Sequence, residues 1–517
     1  MNLQHVFFLS VFFLCACTKP KPNFYNITDY GAKGDSISLN TAAIQKALDA
    51  AYHAGGGTVI IPPGIFISGT IFIKSHTTLL VEAGAKLLGS PDIKDYTSMT
   101  WGHHEDRTPW HLVVAKDAEN ITICGRGIID GNGYAFWKKE RSSEWHFYRP
   151  FKHRPSPMVE IENCKNVVIK DITLQYAAGW CLHPFNSSRV KIYGITIIND
   201  SFGPNSDGID ITGCTDVTIS DCIIDCGDDA IALKTTEDSK DCAYITVSNC
   251  ILSTNCVAFR VGFESRKDFR YITFTNSVVK KCSRVIDLRS TEGAIIEHVA
   301  INNITGNTNC GWVLNRVIEA DLNKVDNIYK INLPEHPNYG KDKPVEKAGA
   351  IRHISISNLD IRTDGRILFA SIPEAEMSNI SLSNIRLQYA MLDNPMPIGH
   401  QATTHSFFLA HPDVRGARAA FIFKNISNIS LNGVQIIWPK YPVPSDWKLL
   451  QSPHRFINKE YYENHEEAIA AGDIKPAFHV LWAKNIKNGL LDIRGTQASG
   501  KNVSKTVIKN SMVQVIQ

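Results

Sequence analysis

No two cysteines in this chain stand at CxxC spacing, and no Cys/His cluster has the spacing of a zinc site. The thirteen cysteines present do not read as a disulfide framework either. Cys222 and Cys250 fall at one phase of a repeat described below, with Ser277 next at that phase. Small, soft side chains at one phase suit an interior column. A charge of one sign is also missing. Fifty-four Lys and Arg against 51 Asp and Glu leave +3, which implies no nucleic-acid partner. Long apolar runs are missing too: Val6 to Ala16 is too short to span a membrane. Helical periodicity is confined to one segment, Thr41 to Ala54, with Ile44, Ala47, Leu48 and Ala51 on one face and Asn40 as cap.

What the chain does have is a repeat. Apolar and polar residues alternate, then an Asn, Asp or Gly follows, then more apolar residues. Copies begin at Val167, Val190, Val217, Ile245, Ile272, Val299, Ile354, Ile380 and Ile429. Successive starts from Val167 to Val299 differ by 23, 27, 28, 27 and 27 residues, and Val299 to Ile354 is 55, which reads as two periods. Alternation within each copy argues for strands. A fixed longer period argues for a solenoid in which one repeat is one coil. The fold class expected is all-β: a single-stranded right-handed parallel β-helix, with the segment after Asn40 as an N-terminal capping helix. Such a helix hides edge strands and the apolar interior at the open end.

Equal phase means stacking in a coil. Counted from its own start, Asp207 is residue 17, Asp228 and Asp229 are 11 and 12, and Arg260 and Asp287 are both 15. Arg289 is 17 and His183 is 16. The expectation is one polar column on an outer face, with Gly227 permitting a bend that points both adjacent acids outward. Two polar-aromatic clusters interrupt the coils, around Trp101 to Trp110 and Phe136 to Arg154. Aromatics with Arg and Lys in loops suit a sugar-binding rim.

These motifs resemble glycoside hydrolase family 28, the polygalacturonases. The likeness lies in Asp29-Tyr30-Gly31-Ala32-Lys33-Gly34-Asp35, Gly56-Gly57-Thr58-Val59, Asp130-Gly131-Asn132-Gly133, Asn205-Ser206-Asp207 and Gly227-Asp228-Asp229, and covers roughly residues 24 to 440. It implies hydrolysis of pectic, galacturonate-containing glycans with inversion and no cofactor or metal. Asp228 is the implied proton donor; Asp207 and Asp229 are the pair that activates water. Two positions depart from the family. Val257 stands where it carries histidine, and Asp287-Leu288-Arg289 where it carries Arg-Ile-Lys. An aspartate there repels a uronate carboxylate. The substrate-binding set is then Asn205 and His183 for sugar hydroxyls, Arg260 and Arg289 for an acidic or sulfated group, with Asp287 and Lys234 beside them. Three other readings stay open: a hydrolase for another sugar linkage, a polysaccharide lyase, and a non-catalytic carbohydrate-binding solenoid. A lyase would leave an unsaturated, ultraviolet-absorbing product; a binder would release no reducing ends.

At the N-terminus, Val6 to Ala16 has the length of a signal-peptide core, although no Lys or Arg precedes it. Leu14-Cys15-Ala16-Cys17 resembles the bacterial lipobox. That implies cleavage before Cys17, acylation of Cys17, export, and a lipid tether to a membrane. The expected organisation is a signal peptide over 1–17, a linker over 18–23, the β-helix over 24–440, and an extension over 441–517 packed on the last coils.

Overall fold

Each coil of this chain closes because its corners accept a left-handed backbone. The Asn, Asp or Gly read in the repeat falls at Asp171, Gly194, Asp221, Asn249, Asn276, Asn303, Asn358, Asn384 and Gly433, each with φ between 50° and 63°. Glycine and, among other residues, Asn and Asp tolerate that region best. The asparagines also bond to one another between coils: Asn303 Nδ2 donates to Asn276 Oδ1 at 3.0 Å, and Asn384 Nδ2 to Asn358 Oδ1 at 2.6 Å.

The computed structural model describes residues 23–99, 107–141, 147–309, 315–324, 344–390, 411–414, 417, 419–439, 478–496 and 503–517. The proposed leader, Cys17 and the Trp101 to Asp106 cluster lie outside the described residues. The architecture is a right-handed parallel β-helix. One 34-stranded sheet winds through the described residues with parallel pairing throughout, and a short antiparallel ribbon, Trp137–Arg141 with Tyr148–Pro150, stands apart from it. The repeat starts form one register column, Val167 through Ile429, each paired with the next. All nine are buried. Stacking of apolar residues rung on rung is the core.

Two expectations need correction. Val299 pairs directly with Ile354, so those 55 residues are one coil with an insertion, not two periods. The coils also continue past 440: the strand Phe478–Asp492 pairs in parallel with Ala419–Ile437, and Val503–Lys509 and Val513–Ile516 pair with it in turn. The expected extension over 441–517 therefore contains further rungs. The helix Thr41–His53 caps the open end through Ile44, Ala47, Leu48 and Ala51. Asn40 precedes it but makes no side-chain cap bond. Its amide is used elsewhere, accepting from Lys33 N and donating to Lys33 O and Ser38 O. Cys222 and Cys250 are buried free thiols in successive rungs, and Cys250 N donates to Ser277 Oγ.

The corners give a direct test. In Asn303→Val a β-branched side chain must take φ 56°, so chemical denaturation should show a loss of about 2 kcal/mol. Asn303→Gly should lose less, because glycine enters that region without a Cβ clash.

Candidate active site

The site lies where three successive rungs turn onto one sheet of the coil. Asp207 ends a tight loop and leads into the strand Ile209–Thr212; Asp228 and Asp229 lead into Ile231–Thr235, and Cys256 into Val257–Ser265. Backbone bonds fix their stacking: Cys181 N donates to Asp207 O, Gly208 N to Asp229 O at 2.8 Å, and Ala230 N to Val257 O. The Arg154 guanidinium holds the loop before Asp207, donating to Ala178 O, Pro204 O and Asn205 Oδ1. Gly227 is required by closeness rather than by a left-handed bend. A Cβ there would stand 2.5 Å from Ser206 Oγ and 2.7 Å from Asp200 O. The Ser206 hydroxyl instead accepts from Gly227 N, tying the two acidic turns together.

The three acids meet, but in a closed environment. Asp207 and Asp229 are each 3% exposed; Asp228 is half-buried. Burial, then the charge of Asp229, pushes the Asp228 carboxyl up to about 7. Burial acts on Asp229 in the same sense, but the Arg260 guanidinium and the Lys234 ammonium outweigh it and hold Asp229 below its ordinary value. Arg260 Nε lies on Asp229 Oδ2, and its Nη2 is 3.2 Å from Oδ1. Val257 N, 3.3 Å away, also donates to Oδ1. Two neighbouring carboxylates are thus driven apart in acidity by one cation. Asp207 is held well above its ordinary value by burial, then by Asp210 and Asp228.

Asp210 was not singled out from the sequence. It is fully buried, and neither carboxylate oxygen has a hydrogen-bond partner among the described residues. Lys234 Nζ is 3.7 Å from its Oδ1, 3.2 Å from Glu264 Oε2 and 4.5 Å from the Trp180 ring centre. The signal for Asp210 was present: three residues after Asp207, its strand register sets it between His183 and Ala232. Cys256 was equally unremarked. Its thiol and the Asp228 and Asp229 carboxylates bring one ligand atom each within 4.8 Å of one another. A cation could reach this trio, yet Arg260 already neutralises Asp229, and two hard oxygens with one sulfur match no metal class well.

The phase count placed His183, Arg260 and Asp287 in one column, and strand pairing agrees for Arg260 and Asp287. The expected open outer face is corrected: these groups are buried and paired. His183 is 1% exposed, with Nδ1 2.8 Å from Glu160 Oε2 and Nε2 2.9 Å from Thr212 Oγ1. Glu160 is bound in turn by Arg107 at 2.8 Å. Arg260 Nη1 lies 2.8 Å from Asp287 Oδ2. Arg289, 1% exposed, reaches Asp287 Oδ2 at 3.2 Å and Glu319 Oε1 at 2.6 Å. The physical reason is that guanidinium and carboxylate alternate in adjacent rungs and satisfy each other across the roughly 4.8 Å spacing. Asn205 is half-buried beside Arg154. The aromatic loop is loop packing at its described core: Phe136, Trp137 and Phe147 are buried, and Trp137 stacks on Tyr148 at 6.0 Å.

Comparison with known proteins meets this geometry. The model of glycosyl hydrolases family 28 matches residues 69–308, and that of the rhamnogalacturonase A/epimerase, pectate lyase-like group matches residues 24–100. The matched segment spans Asp207, Asp228 and Asp229, so the chain is a polygalacturonase-like protein of glycosyl hydrolase family 28 on the pectin-lyase-type β-helix. A probable polygalacturonase of Vitis vinifera is 31% identical over 230 residues, 42% of this chain and 46% of that protein. An exo-poly-alpha-D-galacturonosidase of Dickeya chrysanthemi is 29% identical over 261 residues, 41% of this chain and 42% of that protein. The chain thus spans less than half the length of these two relatives. Among solved structures, an exopolygalacturonase of Thermotoga maritima superposes with TM-score 0.58 at 21% identity, covering 71% of this chain and 88% of that one. A family 28 exopolygalacturonase of Yersinia enterocolitica gives 0.62 at 18%, covering 83% and 77%. Both likenesses concern the fold.

Two outcomes follow from the electrostatics. Arg260→Met strands Asp229 and Asp287 as buried charges and should cost about 3–5 kcal/mol in denaturant titration. Asp228 binds its proton more tightly folded than unfolded, so its contribution to stability is present at low pH and is lost as pH rises from about 4 to about 7. Asp228→Asn should therefore raise the melting temperature relative to wild type more at pH 8 than at pH 4.

Proposed function

We propose that this protein is a glycosidase that hydrolyses linkages in acidic, galacturonate-containing polysaccharides or oligosaccharides, with inversion. One observation carries the reading. Adjacent carboxylates in one pocket are held on opposite sides of neutrality, Asp228 up to about 7 and Asp229 down. An acid and a base of that kind are what glycosidic cleavage needs. Asp228, the more open of the two, donates its proton to the leaving oxygen. Asp229, kept ionised by Arg260, takes a proton from the attacking water, with Asp207 alongside it in the rung before. The family match and the names of the relatives support a galacturonan substrate. An extracellular polymer also suits the export expected from Val6 to Cys17, with Cys17 as the lipid-bearing residue.

Sugar recognition differs from a simple uronate clamp. Arg260 and Arg289 are each engaged by Asp287, so the sugar beside them meets a neutralised wall. That favours, as a second reading, a hydrolase whose sugar at this place is not a free uronate: a rhamnose-linked or otherwise modified unit.

Incubation with oligogalacturonides and rhamnogalacturonan oligosaccharides tests the proposal. Asp228→Asn should lower kcat about 10²–10⁴-fold while the protein stays folded; retained turnover would remove the assigned acid. NMR should find the inverted anomer first. An ultraviolet-absorbing unsaturated product would instead mark a lyase. Because the acid must carry its proton, activity should fall as pH rises through about 7.

A further inference from the structure

A column of arginines runs from the acidic pocket along the coil, and the proposed reaction uses none of it. Register places Val257, Arg284, Arg316 and Arg366 in consecutive rungs. Val257 N sits on Asp229, so the column begins at the acids. Arg316 is two rungs on, roughly 10 Å away at 4.8 Å per rung.

Arg316 is 1% exposed. Its Nη1 donates to Asn315 O at 2.8 Å, and Glu319 Oε2 lies 3.6 Å from Nε, beyond hydrogen-bond reach. Nε and Nη2 have no hydrogen-bond partner among the described residues, and neither has the hydroxyl of Tyr389, itself 2% exposed. Tyr389 and Arg316 are near enough for their charges to act on each other. Glu319 does not meet the need, because it is shared: Arg289 Nη2 takes one oxygen at 2.6 Å and Arg284 Nε the other at 3.2 Å. Asp364 accepts from Asn315 Nδ2 at 2.7 Å. Along this wall Arg260, Arg284, Arg289, Arg316 and Arg366 face Asp229, Asp287, Glu319 and Asp364, five cations against four anions. A buried guanidinium with open donors is costly unless something pairs with it. Burial pushes Arg316 down to about 10, and Arg284 adds to that; it remains a cation at neutral pH.

The two open donors are the informative detail. Nε–H and the near Nη2–H lie on one edge of a guanidinium and point in parallel, the geometry that takes two oxygens of one carboxylate or sulfate. The Tyr389 hydroxyl supplies a third donor. We propose that Arg316 and Tyr389, flanked by Arg284 and Arg366, bind a single oxyanion of the carboxylate or sulfate class. The anion is either free in solution or a substituent of the bound glycan; only the second source rests on the function proposed above.

The test is ligand-dependent melting of the Asp228→Asn protein at constant ionic strength, against chloride, sulfate, galacturonate and oligogalacturonides. Sulfate or galacturonate should raise the melting temperature saturably and chloride should not. Arg316→Gln should weaken that apparent affinity about 10- to 100-fold, as expected for one or two charge-assisted hydrogen bonds. Should Arg316→Gln fail to fold, Tyr389→Phe keeps every charge and should weaken it less. A saturating response to oligogalacturonide at lower concentration than to galacturonate assigns the anion to the glycan; equal responses assign it to a free anion. The proposal is overturned by the absence of any saturable rise, or by a rise that the substitutions leave unchanged. No turnover enters this readout, so a failed glycosidase assay leaves it standing.

Discussion

Alternating charge between rungs organises this molecule's working face. Asp229, Arg260, Asp287, Arg289 and Glu319 form a continuous buried chain, each cation held between two carboxylates. None could remain ionised there alone, since desolvating a single charge costs several kcal/mol. Parallel stacking makes the chain possible, because it repeats a short separation between equivalent positions. The coil thus sets both the shape of the face and its electrostatics.

The same chain explains how neighbouring aspartates come to differ. Asp228 and Asp229 are adjacent in sequence and equally surrounded by acids, yet Arg260 lies on only one of them. The half-buried partner keeps its proton and the paired one gives it up. A division of labour between like residues therefore depends on a residue one rung away. Arg260 is held in place by Asp287, so the aspartate in the family's arginine slot steadies the cation that tunes the acids.

Much of this was legible in the sequence. Every repeat start from Val167 to Ile429 proved to be a rung, because alternation and the Asn, Asp or Gly corner are local signals with local physical causes. The meeting of Asp207 with Asp228 and Asp229 followed from the period. Burial was not legible. Counting residues gives phase along the coil but says nothing of what lies over a face, so His183, Arg289 and Lys234 read as exposed ligands when each is enclosed. Asp210 escaped notice because the resemblance drew attention to three acids and left the fourth unexamined. Insertions blurred the period at Val299 to Ile354, where pairing ignores chain length and the count does not.

That indifference of pairing to length has a bearing on how such a molecule can change. Ile380 pairs with Ile429 across an excursion of some forty residues as readily as Val217 does with Ile245 across a plain coil. Material added at a corner leaves the ladder undisturbed above and below it. New walls around the cleft can be acquired by elongating corners alone, with the acids kept at constant separation beneath them.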